Sequence, residues 1–198
     1  MTAVEHRASA QPALSFIETV RDDLAAAIFP SAVSRPELRT TKFWLVVLAK
    51  VLVNPRMRAV LYFRIGHELH QRRLALVALW LRARSLRIAG AEIHPAATIG
   101  PGFVLVHSSG VVIGAGVTIG SGCRVHQGVT LGEPGKPRAK IWLSPTIGND
   151  VVLGAHAVIL GGITIGDRVL VGANAVVTSD VGPDMVAVGV PARATPRH

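Results

Sequence analysis

One cysteine among 198 residues cannot close an internal disulfide, so nothing in the sequence asks for an oxidising compartment. Aromatic residues are scarce too, at 5%, so the core must be built from Val, Ile, Leu and Ala. No apolar run reaches the roughly 20 residues of a membrane-spanning helix. The N-terminus lacks the basic-then-apolar pattern of a secretory signal before Glu18, Asp22 and Asp23. These absences predict a cytoplasmic protein. Charged residues make up 17% and hydrophobic residues 49%, which excludes a disordered chain. What is abundant is glycine, 20 residues, beside 12 prolines, the material of many tight turns.

The formal net charge of +9 invites a nucleic-acid partner, but its distribution argues otherwise. Residues 1–90 hold 14 Lys/Arg against 6 Asp/Glu, and residues 91–198 hold 7 against 6. The basic excess belongs to one half, so the halves do different jobs. Its arginines are scattered, with no aromatic stacking platform for single strands and no DNA-reading motif, and no nucleic acid is expected.

The first half, 1–90, reads as a helical N-terminal domain. Leu14, Ile17, Val20, Leu24 and Ile28 recur at spacings of 3 and 4, a helix over 13–28. Ser31 and Pro36 mark a break. The apolar run 43–53 ends at Asn54-Pro55. Residues 56–89 read as one long helix or a bent pair with Gly66 as the weak point. The polar face there carries Arg56, Arg58, Arg64, Arg72, Arg73, Arg82, Arg84 and Arg87. It reads either as a solvated face or as a surface for weak peripheral contact with anionic lipid headgroups.

The second half, 91–190, carries a six-residue period. Ile93, Ile99 and Leu105 open it. Ile113, Ile119, Val125 and Leu131 continue after an offset. Ile147, Leu153, Ile159, Ile165, Val171 and Val177 complete it after a longer gap. Six is far from a multiple of 3.6, so the period excludes a helix face and fits short strands joined by tight corners. The residue after the aliphatic is Gly at 8 of these 13 positions, and the residue three after it is Gly, Asp or Asn at 8, which reads as corner chemistry tolerant of positive φ. Stacked coils put the aliphatics in one interior column, with roughly five coils over residues 93–182.

The repeat breaks twice, and breaks in a regular scaffold are where function is expected. Two extra residues enter between Leu105 and Ile113, at His107, and ten between Leu131 and Ile147, a protruding loop over 132–146. Of eight histidines, His107 is the one in an insertion, and it is the candidate general base. His6 and His198 are terminal, His67 and His70 lie on the helical segment, and His156 takes a corner. Cys123 lies where the repeat wants a small residue and reads as packing, not as a nucleophile.

The ordered set of motifs resembles the serine O-acetyltransferase branch of the hexapeptide acyltransferases. The set comprises YFRIGHELHQRRLALVALWLRARS (62–85), EIHPAATIG (92–100), HSSGVVIG (107–114), QGVTLG (127–132), IGNDVVLGAHAVILGGITIG (147–166) and VGVPAR (188–193). The resemblance implies a helical leader followed by a left-handed parallel β-helix, assembled as a homotrimer or a dimer of trimers. It implies acetyl-CoA, or another acyl-CoA, as co-substrate. His107 takes the place of the base and Glu92, fifteen residues earlier, that of the carboxylate orienting it, with Glu for the family's Asp. Ala155 and Ala173 match the small residues beside pantetheine, and Gly132 opens the acyl-CoA loop. No two β-helix histidines are five residues apart, as in the gamma-class carbonic anhydrases, so no metal is expected.

The acceptor side departs from the resemblance. Val106 stands for an Asp, Ala115 for a Glu, and Leu143 and Ser144 for an Arg-His pair, while His126 replaces an aliphatic. The tail over 191–198 lacks the long terminus that docks into cysteine synthase. Losing charged partners for an amino acid's ammonium and carboxylate predicts a hydroxyl acceptor other than free serine. The other readings are a genuine serine O-acetyltransferase, an N-acyltransferase, and a non-catalytic trimeric scaffold, which would need neither Glu92 nor His107.

Overall fold

The computed structural model describes residues 14–28, 41–135 and 143–197. The expectations for Ser31, Pro36 and the centre of the protruding loop, 136–142, lie outside these residues. Among the described residues the chain runs through four helices, α1 (Phe16–Ile28), α2 (Thr41–Val53), α3 (Pro55–Gln71) and α4 (Ala75–Ala89), and then through short strands only. No helix there is long and apolar enough to cross a membrane.

Local chemistry sets the helix ends. Ser15 and Glu18 cap α1 reciprocally: the Glu18 N–H donates to Ser15 Oγ at 3.3 Å and the Ser15 N–H to Glu18 Oε2 at 3.0 Å. Asn54 ends α2 and starts α3, its side-chain oxygen accepting from the Arg56 N–H at 3.3 Å, with Pro55 in the first helical position. The break in 56–89 falls at Arg72–Leu74, where Arg73 takes φ +64°, and not at Gly66. Gly66 is buried against α4, where a Cβ would lie 3.6 Å from the Ala78 carbonyl oxygen. Its smallness serves a helix–helix contact and not a hinge.

The strands form a left-handed parallel β-helix of three sides. One side stacks β1 (Glu92–Ile93), β4 (Val112–Ile113), β7 (Thr130–Gly132), β10 (Val158–Leu160) and β13 (Val176–Val177). The second stacks β2 (Thr98–Ile99), β5 (Thr118–Ile119), β8 (Thr146–Ile147) and β11 (Thr164–Ile165). The third stacks β3 (Val104–Leu105), β6 (Arg124–Val125), β9 (Val152–Leu153), β12 (Leu170–Val171) and β14 (Met185–Gly189). Ile113 pairs with Leu131 and Ile159 with Val177, three hexads on. The two breaks lengthen individual coils: Ile93 pairs with Ile113, and Ile119 with Ile147. All 13 repeat aliphatics are buried in one column. Each contributes about 1.5–3 kcal/mol by leaving water. Residues 192–196, within the segment expected as a tail, form β15 (Ala192–Pro196), antiparallel to β14 and covering the edge of the last coil.

The glycines divide into two jobs, where the sequence suggested one. Positive φ occurs three residues after the aliphatic, as at Gly122 and, without glycine, at Asp150, His156 and Arg168. The glycines directly after the aliphatic serve close approach instead. A Cβ on Gly120 would lie 2.7 Å from the Gly148 carbonyl oxygen of the next coil.

Helices and β-helix share one apolar core that includes Val60 and Phe63 of α3. A buried ion pair between α1 and α3 also reaches the first coil. Arg64 Nε meets Asp23 Oδ2 at 2.7 Å, and its Nη2 donates to the Gly100 carbonyl at 2.6 Å. Asp23 Oδ1 accepts from the Phe103 N–H at 2.9 Å. Arg64, read from sequence as part of a polar helix face, is thus 6% exposed and clamps the first coil.

Candidate active site

The two-residue insertion after β3 forms an outward bulge. Before it, the Val106 N–H stays in the ladder, donating to the Val125 carbonyl at 2.8 Å. After it, the Gly110 N–H donates to the Gly90 carbonyl at 2.9 Å, so the ladder closes on both sides. His107 is exposed on this bulge, and Arg56 of α3 braces its base by donating through Nη1 to the Val106 carbonyl.

The next coil brings His126 to the same place. Its ring centroid is 6.2 Å from that of His107, the planes inclined by 56°. His126 is half-buried, and burial first, then the charges of His107 and Arg124, pull it below the usual histidine range.

Glu92, on β1, is half-buried and pairs with Arg82 of α4. The described contacts of its carboxylate run to Arg82 and not to His107. His94 stands close by. Its Nδ1 accepts from the Ala96 N–H at 3.1 Å, and its ring meets His70 edge-on at 6.4 Å. Burial lowers its pKa, with Arg82 and His70 adding to the fall and Glu92 opposing it. Sequence reasoning did not find this Arg82, Glu92, His94 and His70 cluster. The Arg82–Glu92 contact crosses the turn from helix to strand, and no periodicity signals it.

A ledge of small residues runs along other coils. Ala155 and Ala173 lie one coil apart, joined through the Asn174 N–H to the Ala155 carbonyl at 2.8 Å. Gly132 ends β7, and a Cβ there would meet no atom within 4 Å. At the root of the protruding loop Ser144 Oγ donates to Glu133 Oε1 at 3.4 Å. Ser144 lies against the corner of Ala115 and Gly116, where a Cβ on Gly116 would come 2.7 Å from its hydroxyl oxygen. Leu143 is exposed beside Gly162, and Val106 is half-buried. Cys123 is fully buried, its thiol donating to the Gly148 carbonyl at 3.1 Å, and burial pushes it up to about 11. A thiol so placed stays protonated and packs.

A left-handed β-helix of hexad coils, carrying an exposed histidine on a bulge and a ledge of small residues, defines a hexapeptide-repeat acyltransferase. Residues 144–179 match the bacterial transferase hexapeptide family (six repeats), and residues 109–133 match the hexapeptide repeat of succinyl-transferase. Over 143 residues the chain is 46% identical to a serine acetyltransferase of Helicobacter pylori, covering 72% of this chain and 82% of that one. It is 42% identical over 146 residues to the serine acetyltransferase of Synechococcus elongatus, 74% of this chain but only 59% of that longer one. Soybean serine acetyltransferase complexed with serine superposes with a TM-score of 0.77 at 36% identity, over 91% of this chain and 70% of that one. A serine acetyltransferase complexed with CoA gives 0.76 at 30%, over 91% and 69%. The chain belongs to the serine acetyltransferase family.

These likenesses overturn the expectation of an acceptor other than free serine. Relatives at this identity, and solved structures spanning nine-tenths of the chain, are serine acetyltransferases. The inference from Val106, Ala115, Leu143 and Ser144 failed for a physical reason. A charge missing from one position of a site can be supplied from another coil, because stacking brings distant residues to one surface.

Proposed function

We propose that this chain is a serine O-acetyltransferase, moving the acetyl group of acetyl-CoA to the hydroxyl of serine. Membership of the family carries the reading, and the exposed His107 on a braced bulge supports it. In this reading His107 takes the proton of the serine hydroxyl as its oxygen attacks the thioester carbonyl carbon. The carbon–sulfur bond then breaks and the proton passes to the leaving thiolate, giving O-acetylserine and free CoA. The Glu92 carboxylate orients His107 once its hold on Arg82 is shared. Gly132, Ala155 and Ala173 form the surface for the acyl-CoA, since the open space at Gly132 and the small side chains of the ledge suit a flat, extended ligand. Val106, His126, Ala115 and Ser144 line the acceptor side.

The reading extends to assembly as a homotrimer with sites between subunits and to a place in the cytoplasm. It keeps the division into a helical domain, 1–90, a catalytic β-helix, 91–190, and a short tail. The test mixes the protein with acetyl-CoA and follows thiol release against serine, homoserine and sugars. Turnover on serine above all other acceptors is expected. Acetylation of another hydroxyl with none on serine would overturn the assignment.

A further inference from the structure

Serine carries a carboxylate, and a carboxylate leaving water needs a charged or multiply hydrogen-bonded partner. The loop positions where the family resemblance places an Arg-His pair hold Leu143 and Ser144, which bring no positive charge. The coil beside the His107 bulge brings a guanidinium and an imidazole instead. Arg124 opens β6 and His126 follows it by two residues, with the fully buried Val125 between them. Strand alternation therefore sets Arg124 and His126 on the same outer face.

That face adjoins the base. Val104 is paired with Arg124 and Leu105 with Val125, so Val106 and His107 leave the first coil beside His126, two residues on from Arg124 along the second. The His107 and His126 rings are 6.2 Å apart. Arg124 acts electrostatically on His126, its neighbour on that face. The neighbouring arginine, Arg56, is engaged with the Val106 carbonyl. Arg124 is half-buried, and among the described residues it forms no ion pair. A half-buried guanidinium with open donors beside a general base suits an anionic group on the substrate that the base deprotonates.

We propose that Arg124 binds the carboxylate of serine, with His126 beside it, so that the hydroxyl is presented to His107. This rests on the serine reading above and names the residue that makes it chemically possible. Arg124 then sets preference for acceptors with a free carboxylate over their neutral amides.

The experiment uses the full chain with Arg124→Gln and Arg124→Lys, steady-state kinetics in serine, serinamide and acetyl-CoA, and circular dichroism to establish folding. Arg124→Gln is expected to raise KM for serine by about tenfold or more, as loss of a charged hydrogen-bond partner does. KM for acetyl-CoA should stay within about twofold, and the preference for serine over serinamide should vanish. Arg124→Lys should recover part of both, because it restores the charge without the fork. An unchanged serine KM in folded Arg124→Gln, or an equal rise for acetyl-CoA, would overturn the proposal. Wild-type protein that does not acetylate serine at all would instead overturn the serine reading on which it stands.

Discussion

In the β-helix each buried aliphatic meets its counterpart one coil away, and the same contact recurs from Ile93 to Val177. The helical segment is held differently. Its own small core of Leu24, Ala25, Val47 and Met57 is limited, and α2 and α4 leave Leu45, Leu52, Leu76 and Trp80 exposed. Its grip on the β-helix combines Val60 and Phe63 with a few long-range polar contacts, chiefly those of Arg64 with the Ile99 and Gly100 carbonyls, of Asp23 with the Phe103 N–H and of Arg82 with Glu92. One region is stabilised by repetition, so each contact has many equivalents. Among the described residues the other depends on a handful of contacts, each different from the next.

The contrast is broken most severely at the clamp. Arg64→Ala leaves the buried Asp23 carboxylate without its guanidinium and is expected to cost about 3–5 kcal/mol, read by urea unfolding. Burial already pushes the Asp23 carboxyl upward, against the pull of Arg64, so its removal favours the protonated acid. A smaller loss is expected within the repeat. Gly120→Ala forces a Cβ to 2.7 Å from the backbone of the next coil and should cost about 1–3 kcal/mol by the same measurement. The smallest effect belongs to Gly182→Ala, where a Cβ meets no atom within 4 Å and the change should stay within about 0.5 kcal/mol. If Gly120 and Gly182 responded alike, close coil approach would not be what selects glycine after the aliphatic.

The same contrast governs what the sequence discloses. The β-helix is legible because its restraint recurs every six residues, and His107 is legible because it interrupts that recurrence. The pairing of Asp23 with Arg64 joins residues far apart in the chain, and no local pattern announces it. The arginine face of 56–89 misled for this reason: three of its members, Arg56, Arg64 and Arg82, reach onto the β-helix instead of into water. The acceptor was misread similarly. Aligned positions reported charges lost, while Arg124, one coil away from the bulge, matched no motif and became visible only through the register of β3 with β6.

The most direct measurement of the account is thiol release from acetyl-CoA with serine as acceptor, comparing the folded His107→Ala variant with the unaltered protein. Removal of the general base is expected to lower kcat by about 10²–10⁴-fold. Unchanged turnover by the variant would contradict the assignment of the chemistry to the bulge between β3 and β4.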